Sequence, residues 1–238
     1  MRALALACLA LAAVVVPARA DVMTTASDNA SVQPGGPRSG NNGKRFFNIE
    51  GSSNGSFASY GVVDFQFGAV AAQPAFTSLT LALTQANASF TADGGLNFYL
   101  DTNTTASIQP GTSPLVYSGA GEGTSTNVAG GQLSLLFLGA GSFTQVVNGF
   151  ENDFTFALTP SLASTLKADV QNNAIVRVLV TPTTPGAAAT YAGSTNATPE
   201  RLTLTTASVV ATPEPASIAL LALALCGLGF GRSRRTRN

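Results

Sequence analysis

The chain has 238 residues with twelve basic and twelve acidic side chains, two Cys, no His and no Trp. Without His there is no Ser-His-Asp or Cys-His catalysis and no imidazole metal site. Residues 21–211 hold six basic residues against eleven acidic ones, a net charge of −5, and no basic stripe, which argues against a nucleic-acid partner.

The N-terminus has three parts. Met1-Arg2 is a short basic start, Ala3 to Val16 is apolar, and Ala18-Arg19-Ala20 is a small-x-small cleavage pattern. This order predicts a secretory signal peptide over residues 1–20, cut between Ala20 and Asp21. The apolar run is short of the ~20 residues a spanning helix needs. Cys8 and Cys226 both lie in the terminal segments, so the domain between them has no disulfide. Its stability must rest on burial and sheet hydrogen bonding.

Residues 21–43 are polar, with Gly35-Gly36-Pro37 and Asn41-Asn42-Gly43, and read as a flexible leader ahead of a domain at 44–211. From there, apolar residues recur with period two. Val63, Phe65 and Phe67 oppose Asp64 and Gln66. Leu79, Leu81 and Leu83 oppose Thr80 and Ala82. Leu96, Phe98 and Leu100 oppose Asn97, Tyr99 and Asp101. Side chains alternate faces along a strand, so these are half-buried antiparallel strands. Leu133–Leu138 is apolar on both faces and is expected at the centre of a sheet, and Ile175–Val180 reads as a buried strand. Phe154, Phe156 and Leu158 alternate again, and Leu202 and Leu204 mark the last strand. Ala92-Asp93-Gly94-Gly95 and Gln109-Pro110-Gly111 are turns. Thr159 before Pro160, with Leu162, Leu166 and Val170 four apart, predicts one helix over Pro160–Val170 that caps the sheets. The sum is an all-β fold, most simply a two-sheet antiparallel β-sandwich of jelly-roll type with one short helix.

Candidate chemistry is thin. Asp64, Asp93, Asp101, Glu122, Glu151 and Asp153 are the carboxylates from which a glycosidase pair would be drawn, but no motif fixes a pair. Glu151-Asn152-Asp153 offers oxygen ligands of the kind Ca²⁺ takes, without a recognisable loop spacing. Gly119 to Gly123 lacks the Lys-Ser/Thr of a phosphate loop, so no cofactor is expected. In the absence of Trp, Tyr99 and Tyr117 are the candidates to stack on sugar rings, provided they line an open sheet face. Asn29, Asn54, Asn87, Asn103 and Asn196 each begin an Asn-x-Ser/Thr sequon.

The C-terminus is the most specific stretch. Pro213-Glu214-Pro215 is followed by the uncharged run Ala216–Phe230 and then by Arg232, Arg234, Arg235 and Arg237. A triplet that resists helix and sheet, a short apolar helix and a basic end held on the cytoplasmic side form an address. Residues 212–238 closely resemble the PEP-CTERM sorting signal of bacterial exported proteins. The resemblance implies a transient transmembrane helix in the inner membrane, processing by exosortase at the triplet, and delivery to the cell surface or extracellular matrix. A second resemblance runs over Arg45–Thr206. Gly61-Val62-Val63-Asp64-Phe65 and Tyr191-Ala192-Gly193-Ser194-Thr195-Asn196, leading into Pro199-Glu200-Arg201-Leu202, look like the opening and closing passages of DNRLRE-type carbohydrate-binding jelly-roll modules. That resemblance implies a carbohydrate-binding jelly-roll, and the paired signals around a His-free, Cys-free, Thr/Ser/Gly-rich β domain lead to the expectation of a non-catalytic domain with exopolysaccharide as partner. The alternatives are a secreted glycan hydrolase using a carboxylate pair and a purely structural or adhesive module.

Overall fold

The computed structural model describes residues 21–68, 70, 75–118 and 133–206. The signal segment, Glu122 and the sorting segment lie outside these residues. Eleven strands and two α-helices follow in order among them: β1 (Val22–Gln33), β2 (Gly36–Pro37), α1 (Asn41–Arg45), β3 (Phe46–Glu50), β4 (Tyr60–Phe65), β5 (Phe76–Thr84), β6 (Gly94–Asp101), β7 (Leu135–Phe143), β8 (Glu151–Ala157), α2 (Pro160–Gln171), β9 (Val176–Pro182), β10 (Ala188–Ala192) and β11 (Arg201–Thr206).

Eight strands run in one hydrogen-bonded path, β7-β6-β9-β4-β1-β11-β5-β8, and every pairing is antiparallel. The expected all-β antiparallel character is present. The two layers are not separate sheets, however; one sheet folds on itself at β1. Val22–Thr25 pair with β11, whereas Ala26–Val32 pair with β4, and the register slips between Ala26 and Asp28. A bulge sharpens local twist and bends a strand. Here it lets one strand serve both layers. β3 and β10 form a separate two-stranded ribbon at one end.

This placement of β1 corrects the reading of residues 21–43 as a leader. The folded domain begins at β1 rather than at residue 44. The inward positions Asn29 and Ser31 are polar, but they are 2% and 0% exposed. Asn29 donates to the carbonyls of Gly43 and Phe46 and accepts from the Ser194 amide at 2.8 Å. Ser31 Oγ accepts from the Asn48 amide at 2.7 Å. Hydrogen bonds to neighbouring backbone replace apolar contact, so no period-two pattern is visible.

The core between the layers is apolar, as the alternation requires. Val63, Phe65, Leu96, Phe98, Val176 and Val178 face Leu79, Leu81, Phe154, Phe156, Leu202 and Leu204. The Phe98 ring lies 4.6 Å from that of Phe154 and 4.9 Å from that of Phe156. The outer strands β7 and β8 close over this cluster. A Cβ on Gly139 or Gly141 would come within 2.5 Å of Phe156 or Phe154, so only glycine lets β7 approach. The expectation of a central strand at Leu133–Leu138 is corrected: β7 ends the path, and Leu136 and Phe137 are exposed.

Helix α2 spans Pro160–Gln171, one residue longer than the spacing predicts. Thr159 Oγ1 accepts from the Leu162 amide at 3.3 Å, and Pro160 stands in the first turn. Leu162, Leu166 and Val170 enter the core at the end where β8 leads into β9. Thr206 reaches the same end, since it pairs with Phe76 at the start of β5. The β3–β10 ribbon lies at the other end, beyond Thr84, about 26 Å away at the rise of a strand.

Glu200 precedes β11 and is 0% exposed. Its backbone carbonyl accepts from the Ala26 amide at 2.8 Å, but neither carboxyl oxygen has a hydrogen-bond partner among the described residues. Burial, reinforced by the Asp28 charge, pushes its carboxyl well above the ordinary carboxylate range. A raised acid favours the fold while protonated; that contribution is complete below the ordinary value and is lost as pH rises through the folded one. Glu200→Gln is therefore expected to raise the melting temperature at pH 7. The gain should shrink as pH falls toward the ordinary carboxylate range, where the unfolded chain also holds the proton. Thermal melts of both proteins across that range check this, and a lower melting temperature for the variant at pH 7 would refute it.

Candidate functional site

The ribbon places its residues alternately. In the register Ala188↔Glu50, Thr190↔Asn48, Tyr191↔Phe47, one set turns inward and one outward. Phe47, Ile49, Ala189 and Tyr191 join the core. The Phe47 ring lies over Gly61 of β4, where a Cβ would sit 2.3 Å from it. Phe46, Asn48, Glu50, Ala188 and Thr190 line an open cleft of about 600 Å³ on the opposite face.

Two turns wall this cleft. Ser52–Phe57 and Ala88–Phe90 are 3-10 turns, and each ends on an exposed phenylalanine: Phe57 is 56% and Phe90 is 68% exposed. They stand on opposite flanks. Ser59, just after Phe57, pairs with Glu50 on the free edge of β3, whereas Ala92, just after Phe90, pairs with Ala188 on the free edge of β10. Both turns carry the pattern Asn-x-Ser-Phe, as Asn54-Gly55-Ser56-Phe57 and Asn87-Ala88-Ser89-Phe90. Asn54 fastens its turn to the ribbon by donating to the carbonyls of Gly51 at 3.0 Å and Ala187 at 3.1 Å. The Asn87 carbonyl accepts from the Phe90 amide at 3.0 Å, and the Ala88 amide donates to Asn148 Oδ1 at 2.8 Å.

The floor is polar and internally ordered. Asn48 Nδ2 donates to Glu50 Oε1 at 2.9 Å and to Thr190 Oγ1 at 3.2 Å, while Arg38 Nη1 donates to Asn48 Oδ1 at 3.3 Å. Burial raises the Glu50 carboxyl above its ordinary value, and the Asn48 hydrogen bond and the Arg38 charge oppose this. Aromatic walls over a floor of amide, hydroxyl and carboxyl groups suit a ligand with apolar C–H faces and a rim of hydroxyls.

The candidate residues of the sequence lie elsewhere. Tyr99 and Tyr117 do not form an open ligand face; each is 6% exposed. Ala106, Ile108, Leu115 and Tyr117, from the segment after β6, fold over the outer face of β4, β9 and β6 and bury Tyr60, Tyr99 and Leu179 in a second apolar cluster. The exposed rings that flank the cleft, Phe57 and Phe90, are on turns, which strand periodicity does not register. The repeated Asn-x-Ser-Phe pattern was the available signal.

Asp64 and Asp101 flank Arg177 across β4, β9 and β6. Arg177 Nε and Nη2 donate to the two Asp64 oxygens at 2.7 and 3.0 Å, its Nη1 donates to the Ala106 carbonyl at 2.9 Å, and Asp101 Oδ2 lies 3.7 Å away. All three are buried, and none lines the cleft. Asp93 accepts from the Gln145 amide at 2.7 Å. Glu151 pairs with Arg201 at 2.7 Å. Glu151 and Asp153 share a face of β8 from which Asn152 turns away, and Asn152 Oδ1 instead accepts from Gln85. Among the described residues no group of three acids, Cys or His could hold a metal ion. Of the sequons, Asn29 is buried and Asn54 is bonded inward.

Residues 211–235 match the family model of the PEP-CTERM protein-sorting motif. The match covers Pro213, Glu214, Pro215 and the first three of the four tail arginines, and it marks the chain as an exported protein whose C-terminal membrane anchor is removed by exosortase. No curated protein matches the chain.

Proposed function

We propose that the exported domain is a non-catalytic module that associates with exopolysaccharide at the cell surface or in the extracellular matrix. Secretion begins with the signal peptide at residues 1–20. Exosortase, acting near Pro213-Glu214-Pro215, then frees the domain from its anchor in the inner membrane.

The observation that carries this reading is the cleft between Phe57 and Phe90. Its rings offer flat apolar faces, and Asn48, Glu50 and Thr190 lie between them to meet hydroxyl groups. Among the described residues that line it, Glu50 is the single carboxylate, whereas hydrolysis of a glycosidic bond ordinarily uses two. The cleft also lies at the end of the domain away from Thr206, after which the sorting segment follows.

The test is co-sedimentation of the protein, purified in the form its host releases, with exopolysaccharide from the same cells. Phe57→Ala combined with Phe90→Ala is expected to lower retention about tenfold, as the loss of two stacking faces at roughly 0.5–1.5 kcal/mol each implies. Both rings are exposed, so the fold should be unaffected. Undiminished retention of the double variant would remove the cleft from the account.

A further inference from the structure

We infer that the polysaccharide taken by this cleft is anionic, with carboxylate or comparable acidic groups on some of its sugars; this rests on the glycan-binding reading above and narrows it. The argument starts from where the few cations of an acidic domain are placed. Of six basic residues in 21–211, Arg177 is buried between carboxylates, Arg201 is paired with Glu151, and Lys167 is on α2. The other three, Arg38, Lys44 and Arg45, fall within eight residues of sequence and line one hollow of about 420 Å³, together with Pro110 and Thr195 and with no acid among the described residues that line it.

This hollow adjoins the cleft at Arg38, which lines both. Arg45 reinforces the junction: its guanidinium lies 5.5 Å over the Phe46 ring, and Phe46 lines the cleft. Lys44 is paired with Asp28 at 3.0 Å. Neither Arg38 nor Arg45 makes an ion pair among the described residues. Arg45 is exposed, and exposed cations contribute little to folding, so stability does not explain its place in the cluster. A guanidinium fork matches a carboxylate in two parallel hydrogen bonds.

The acidic group on the cleft floor sorts the ligand. Glu50 disfavours a second negative charge between Phe57 and Phe90, so an uncharged ring belongs there. The anionic group of a neighbouring sugar belongs at Arg38 and Arg45.

Affinity electrophoresis of the host-released protein through gels containing alginate, polygalacturonate or dextran tests this. The two uronate polymers should retard the protein more than dextran, and added salt should weaken the difference by screening. Arg38→Gln with Arg45→Gln should cost at least about tenfold in affinity for alginate, as expected for a lost charge-assisted hydrogen-bond pair, and that loss should exceed any loss of dextran retention. Equal retention by dextran and alginate, or a double variant that holds alginate as the wild type does, would overturn the anionic assignment and leave glycan binding standing. No retention by any polymer would overturn both.

Discussion

Replacing Arg177 with methionine is expected to lower the melting temperature by roughly 10 °C, the largest effect of any single change considered. Arg177 is 2% exposed, and its guanidinium holds Asp64 through two hydrogen bonds and lies beside Asp101. Asp101 Oδ1 accepts from the amides of Ser134 at 2.8 Å and Asn103 at 3.0 Å, so this carboxylate is tied in place and cannot swing to solvent. Methionine fills similar volume but leaves two buried carboxylates without a cation. Breaking such a pair costs about 3–5 kcal/mol, and in a domain of this size each kcal/mol moves the midpoint by about 2–4 °C.

A pH series separates this cause from lost packing. Burial already raises the Asp101 carboxyl above its ordinary value, with the amide hydrogen bonds and Arg177 opposing. With Arg177 gone, the Asp101 carboxyl loses a charge that opposes its rise and should be raised further. Its protonated form then favours the fold, so the variant should recover stability as pH falls toward the ordinary carboxylate range. A loss independent of pH would assign the effect to packing. An unchanged melting temperature would remove the triad from the account of stability.

Replacing Pro213, Glu214 and Pro215 together with alanine should abolish release of the protein. Membrane fractionation and mass spectrometry of the product should show the chain retained in the inner membrane with its C-terminus intact. The match of residues 211–235 to the sorting motif assigns processing to this segment. Three alanines also erase the break that two prolines impose on helix and sheet. Wild-type release of the variant would show that the triplet is not what the processing machinery reads.

These two results divide between what can and cannot be read along the chain. The address is contiguous: triplet, apolar run and arginines follow one another, so their order suffices. Strands β4, β5, β6, β8 and β11 were legible because alternate residues enter the apolar core, which period two records directly, and β9 was legible as a near-continuous apolar run. Helix α2 was legible because its capping residue and its proline are local signals. β1 was not, because Asn29 and Ser31 spend their burial on hydrogen bonds to distant backbone. Its change of partner at the bulge has no local signature.

The sequence by itself determined that the protein is exported and processed at its C-terminus, that its domain is antiparallel β, and that no histidine chemistry operates in it. Only the tertiary structure decided which surface is open. Tyr99 and Tyr117 occupy strand and loop positions that would face outward, yet the segment from Ala106 to Tyr117 covers them. Phe57 and Phe90, by contrast, are held out in solvent by turns 33 residues apart, on either side of a ribbon whose strands β3 and β10 pair Asn48 with Thr190. Exposure is a property of what packs over a residue, and the covering segments come from anywhere in the chain. Alternation along one strand records the face a residue takes, but not whether another element closes over that face.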